Sequence, residues 1–159
     1  MAILTSFALW LHDLATVILI GHYLLLVLVY LPLMTSEFQA AEMSRLLGKV
    51  NQCVQPWMGL SLLIFMATGI LLMFADPNYL GVGNFGNSWS IFMVLKHMVV
   101  IGMIAVAFWI TTLTRPAMMV KLATYNPHPP ILYRMSAMIK TQAALGVLVL
   151  FLTGLARMG

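Results

Sequence analysis

Two pairs of ionisable residues stand out because of where they sit. His12 and Asp13 lie side by side near the start of one long apolar run, and Lys96 and His97 lie side by side near the start of another. Imidazole ligates metals, and a carboxylate and an ammonium can pair or shift protons. Placed within a lipid-facing stretch, such groups are costly and are kept mainly for function. At a rise of ~1.5 Å per residue, both pairs lie roughly one and a half turns in from the same end of their helices. Thr68 and Gly69, and Thr153 and Gly154, reach a similar level from two further apolar runs. The four runs therefore share one polar layer.

A haem between helices needs axial imidazoles on facing helices at one depth, and small residues where the macrocycle meets backbone. His12 and His97 supply such ligands, Gly69 or Gly154 supplies room, and Lys96 either neutralises a propionate or ligates directly. Copper is the alternative, because imidazole and thioether both suit it. The chain has 14 methionines. Met66 and Met73 are a heptad apart, and Met93 precedes His97 by one turn. The plainer reading is structural: Asp13 and Lys96 form an ion pair, the histidines bond to backbone or water, and the methionines fill apolar space. Adjacent residues differ by about 100° around a helix, so only one of Lys96 and His97 points straight inward. The sequence leaves open which.

Other candidates carry less. His22 lies roughly 15 Å along the helix from His12, without an ionisable partner at its level, and reads as a buried hydrogen-bonding residue or a ligand to something bound from outside. His128 falls in NPHPP and reads as a loop histidine. The single cysteine, Cys53, forms no internal disulfide and fixes no redox compartment. No Ser-His-Asp, Walker or CxxC pattern is present.

These residues need elements to hold them, and composition says which. Of the 159 residues, 62% are hydrophobic and 8% charged, with a mean hydropathy of +1.00. Globular chains carry about a quarter charged residues, so lipid must be the solvent for much of this surface. Apolar runs at about 7–33, 57–75, 90–113 and 136–156 each approach or exceed the ~20 residues needed to cross a bilayer as a helix. The expectation is all-α: residues 1–159 as a single membrane domain, an integral four-transmembrane-helix bundle. MAILTSFALW lacks a basic n-region, so the first run is expected to be a retained span.

Residues 35–55 are polar enough for the interface and suit a short amphipathic helix. Residues 76–89, rich in Gly and Asn, read as an irregular loop, and residues 116–133 contain a breaker cluster. Arg45, Lys49, Arg115, Lys121, Arg134 and Lys140 flank the first and third connections, while the second has no Lys or Arg. The positive-inside rule puts those two connections in the cytoplasm, and the N- and C-termini with the Gly/Asn loop on the outer, periplasmic side. Trp10 and Trp89 then mark the outer boundary, Trp57 and Trp109 the inner one.

The first run, LHDLATVILIGHYLLLVLVYLP, resembles the opening helix of CopD-like copper-resistance membrane proteins and of the related HemJ-type protoporphyrinogen oxidases: a Leu-His pair, a glycine nine residues later (Gly21), and Tyr30-Leu31-Pro32 near the end. MATGILLMF resembles the second CopD helix, and VLKHMVVIGMIAVAF followed by Arg115 resembles the third. The resemblance implies a four-helix fold, with His12 a haem ligand and Lys96 a porphyrin-contacting or catalytic group. Leu19 stands where the family has an aromatic, His22 replaces a small residue, and the HemJ Pro-Arg with a downstream His is missing after Tyr30. CopD-like is therefore the closer label, and oxidase activity is not what it implies.

The favoured expectation is an outer-leaflet site binding b-type haem, in an electron-transfer subunit of a larger complex in the bacterial inner membrane. Copper handling and a non-catalytic structural subunit are the alternatives. Expected partners are the bilayer, other membrane subunits, and a periplasmic protein or quinone at the outer loop, with Trp89, Tyr79 and Phe85 as candidate anchors. No nucleic acid is expected.

Overall fold

The computed structural model describes residues 2–37, 40–81, 83–113 and 130–156. Helix α1, Ala2–Leu25, passes through a π-helical turn at Leu26–Tyr30 into α2, Leu31–Glu37. The others are α3, Ala40–Ala75; α4, Ser88–Leu113; and α5, Pro130–Ala156. No strand occurs among the described residues. In hydrocarbon each backbone N–H and C=O must be satisfied within its own segment, and a helix does this. Four helical stretches are long and apolar enough to cross a membrane: Ile3–Leu33, Arg45–Ala75, Ser88–Thr112 and Tyr133–Ala156. The chain is a multi-pass helical membrane protein.

Two prolines shape the helices. Pro32 has no N–H to donate and its ring crowds the preceding turn. One residue before it, the Leu31 N–H reaches back to the Leu26 carbonyl, five residues away, and this wider turn admits the ring without ending the helix. Pro56 lies inside α3, which runs unbroken through it. Residues 40–55, expected from sequence as a separate interfacial segment, are thus continuous with the second span. Tertiary packing explains the continuity. Leu47 is buried in a cluster with Tyr23, Leu26, Leu31, Ile110, Met135, Ile139 and Ala143, while Arg45, Lys49, Gln52 and Cys53 face outward. The expected amphipathic helix exists, fused to the span rather than set apart from it.

The Gly/Asn loop is irregular and closes on itself. Asp76 Oδ1 accepts from the Asn78 N–H, Asn87 Nδ2 donates to the Asn78 carbonyl, and Asn87 Oδ1 caps α4 by accepting from the Ser90 N–H at 2.8 Å. Gly81 and Gly83 take φ of +104° and +82°, which side chains strongly disfavour. Tyr79 meets Trp89 edge-on, and Trp89 is buried, whereas Phe85 is exposed. Of the loop aromatics, Trp89 packs beneath the loop and Phe85 is the one displayed.

The bundle is two helix pairs, α1 along α3 and α4 along α5. The pairs join where α1 meets α5. There a Cβ on Gly146 would stand 2.9 Å from Ile20 Cγ2, so only glycine permits this approach. Successive spans α3 and α4 make no extended contact, and an open cleft separates them.

Candidate functional site

His12 is the best-held member of the polar layer. Its ring lies over Phe65 of α3, with centroids 4.4 Å apart and planes 22° from parallel. Gly69 makes room for it: a Cβ there would stand 3.2 Å from His12 Cε1. His12 Nδ1 lies 3.0 Å from Thr68 Oγ1. Thr68 is buried, and its one hydroxyl proton is directed to its own helix, to the Ile64 carbonyl at 2.6 Å with the Phe65 carbonyl at 3.3 Å. The threonine oxygen is therefore an acceptor toward the ring, and Nδ1–H donates. In the neutral imidazole the lone pair then lies on Nε2, the tautomer following from the hydrogen-bond network. A fixed donor on one ring nitrogen is how proteins prepare the other to ligate.

The remaining predicted residues are placed unequally. Lys96 of α4 is half-buried, and Asp13 is exposed. His97 is exposed, and its Nδ1–H donates to the Met93 carbonyl of its own helix at 2.6 Å. Of the adjacent pair, Lys96 is the one turned toward the bundle. The fold brings together His12, Thr68 and Gly69, sets Lys96 half-buried on α4, and leaves His97 on the outer surface of that helix. Thr153 Oγ1 donates to the Val149 carbonyl, and Gly154 is exposed with open space beside it. His22 is half-buried, edge-on to Tyr23 at 5.2 Å. Met66 is 40% exposed and Met73 half-buried. Among the described residues no group of three or more His, Cys, Asp or Glu converges as a metal site. His128 lies outside the described residues.

A second feature went unread in the sequence. A cavity of about 370 Å³ lies one turn from His12, between the helix pairs, lined from all four spans. Its polar lining is Thr16, Tyr23, Asn51, Gln55, Thr111 and Gln142. Gln142 is 3% exposed; its Nε2 donates to the Met103 carbonyl at 3.1 Å, and its Oε1 has no partner. The available signal was an amide within the fourth run, where Lys140, Thr141 and Gln142 stand together among apolar residues and a polar side chain needs a reason.

No protein family, curated protein or solved structure matches the chain. Fold and site together define a multi-pass membrane helix bundle with a prepared imidazole in its polar layer.

Proposed function

We propose that this chain is a CopD-like membrane protein that binds b-type haem through His12 and serves electron transfer as a small subunit of a larger complex in a bacterial inner membrane, with both termini outside. The observation that carries the reading is the His12–Thr68 arrangement. A merely space-filling histidine has no need of a fixed tautomer, of Phe65 beneath it, or of a glycine where a Cβ would crowd it. His12 would hold the iron: its imidazole is oriented by Thr68 and its Nε2 carries the lone pair. Lys96 supplies positive charge suited to a propionate, or a second ligand. When bound, haem supplies one-electron chemistry. The protein's own part is to hold the imidazole, balance charge in a medium that screens poorly, and keep the site within lipid.

His97 enters this reading differently from His12. An imidazole on the lipid-facing side of α4 is unfavourable in hydrocarbon, and only 6% of the third span is buried against 39% of the fourth. Both fit a face covered by another membrane subunit. Copper handling has one prepared imidazole and a 40% exposed thioether at Met66 to draw on, and no observation raises it above haem.

The test is an oxidised and dithionite-reduced absorption spectrum of the purified protein, with metal analysis of the same sample. A Soret band that sharpens on reduction, with an α-band, is expected. Stoichiometric copper without porphyrin moves the function to metal handling. Neither, in an intact preparation, overturns the reading and leaves the polar layer as structural glue.

A further inference from the structure

We propose that the outward face of α5 holds the headgroup of an anionic glycerophospholipid, with Lys140 and Arg134 as its charge partners and Thr141 as a hydrogen-bond donor. The inference stands apart from the haem reading, because His12, Thr68, Gly69 and Lys96 all lie on other helices.

Lys140 sits where a lysine is unfavourable. The fourth span, Tyr133–Ala156, has 24 residues, ~36 Å of helix against a hydrocarbon core of ~30 Å. Lys140 follows Tyr133 by a heptad, ~10 Å along the axis. It therefore lies below headgroup level, yet it is exposed. Helix α5 carries no Asp or Glu, and Lys140 has no ion pair among the described residues. An ammonium so placed must reach the interface or draw an anion to itself. In a helix the Cα–Cβ bond tilts toward the N-terminus, which here is the end with Tyr133 and Arg134. The flexible four-carbon stem of Lys140 climbs that way.

Thr141 is the second observation. Within a helix a threonine can direct its proton to its own backbone. Thr16, Thr68, Thr111, Thr112 and Thr153 all do so, each donating to a carbonyl one turn back. Thr141 is exposed and makes no such bond among the described residues. Its hydroxyl is left to donate outward, beside Lys140.

Helix periodicity sets both residues in a frame. Tyr133 and Lys140 are a heptad apart, and so are Arg134 and Thr141. At about 100° per residue each pair forms a column along the axis, and the columns stand about 100° apart. Ala137 falls midway between the columns and midway in height. Tyr133, Arg134 and Ala137 are all exposed. The small methyl at the centre leaves a shallow place ringed by a phenol, a guanidinium, an ammonium and a hydroxyl, all able to donate to phosphate oxygens.

That ring selects the occupant. A zwitterionic headgroup brings the same phosphate but sets its own cation against Arg134. A soluble anion would have to enter hydrocarbon to meet Lys140. A phospholipid arrives within the bilayer, and Ala144, Val147, Leu148 and Phe151 continue the exposed face below the frame as a track for its acyl chains.

The test is native mass spectrometry of the full chain, delipidated in detergent and titrated with an equal mixture of dioleoylphosphatidylglycerol and dioleoylphosphatidylcholine. Each basic residue near an anionic headgroup favours it about fivefold, so the wild-type chain should prefer the anionic lipid by about 25-fold. Lys140→Gln and Arg134→Gln should each lower that preference about fivefold. Thr141→Val should weaken retention of the anionic lipid about fivefold, and Ala137→Leu, which fills the frame without changing charge, should weaken it too. Lys49→Gln removes the same charge from an exposed position on α3 and should leave the preference within about twofold. Equal retention of the two lipids by the wild-type chain overturns the proposal. So does a preference that survives Lys140→Gln, or one that Lys49→Gln lowers as far, which assigns it to net charge alone. Retention of neither lipid overturns it as well, and leaves the face to a carboxylate-bearing helix of another subunit. The wild-type comparison needs no variant to fold.

Discussion

Replacing Thr68 by valine removes one hydroxyl and leaves shape and β-branching unchanged, which makes it the sharpest probe of the prepared imidazole. In the native arrangement Thr68 Oγ1 gives its proton to α3 and accepts from His12 Nδ1–H at 3.0 Å. Valine deletes that acceptor while Phe65 still supports the ring from below. Losing an ordinary hydrogen bond costs about 0.5–1.5 kcal/mol net, and stranding a donor away from water costs about 1–3 kcal/mol. Water is scarce at this depth, so the ring will relieve the strain by turning or by moving its proton to Nε2. Either change takes the lone pair away from its prepared position. Loss of such a supporting partner lowers metal affinity by about 10–100-fold, equivalent to about 1.4–2.8 kcal/mol.

The assay is titration of the haem-free protein with haemin in detergent, followed at the Soret band, for wild type, Thr68→Val, Thr68→Ser and His12→Ala. Thr68→Ser keeps an oxygen that both donates to the Ile64 carbonyl and accepts from His12, and should bind within about threefold of wild type. Thr68→Val should weaken binding by about 10–100-fold, and His12→Ala should abolish it. If Thr68→Val binds as wild type while His12→Ala does not bind, the tautomer argument is refuted although His12 remains a ligand. If serine behaves like valine, packing rather than the hydroxyl holds the ring.

The other predictions test placement. Gly69→Leu puts a Cβ 3.2 Å from His12 Cε1 with a branched chain beyond it, and should abolish haem binding while far-ultraviolet circular dichroism stays helical. Gly146→Val sets a branched side chain against Ile20, whose Cγ2, Cγ1 and Cβ lie 2.9, 3.3 and 3.5 Å from the new Cβ. It should destabilise by about 1–3 kcal/mol, as overpacking does, read from thermal unfolding in detergent; Gly102→Ala, with nothing within 4 Å, is the control. His97→Ala should leave haem binding by the isolated chain nearly unchanged, since that ring bonds its own helix and is exposed; spectral titration decides. Cys53, exposed near the expected cytoplasmic end of α3, should react with an impermeant maleimide in inverted vesicles and not in intact spheroplasts, and the reverse pattern would invert the topology.

The sequence was most legible where one physical rule acts alone. Four long apolar runs with few charges admit only helices in lipid, and their existence was plain from composition. Their ends were less plain, because a local signal competed with a distant one. Pro56 and the charges Arg45 and Lys49 read as a boundary, yet Leu47 finds a buried place beside Tyr23 and Ile110, and that contact lies far from residue 47 in sequence. The approach of His12 to Thr68 and Gly69 was legible in depth, whereas the rotation of the neighbouring helix was not. Depth follows from counting residues, but rotation is set by helix packing, and it separated Lys96 from its neighbour His97.

Gln142 shows the same limit from the opposite side. A glutamine in a run dominated by Ala, Leu and Val is visible in the sequence, but its meaning depends on the Met103 carbonyl of α4 and on a void between helices that are consecutive in the chain yet apart in space. The void has a cause in the packing. Gly146 draws α5 tightly onto α1 at Ile20, the helix pairs meet along that seam, and they diverge on the opposite side, where α3 and α4 make no extended contact. Tightening at one seam opens the other. A bulky residue at Gly146 would therefore disturb the cleft as well as the seam, and that variant should lose stability. Gly59→Trp enters the cleft without touching the seam, so it should leave stability near wild type.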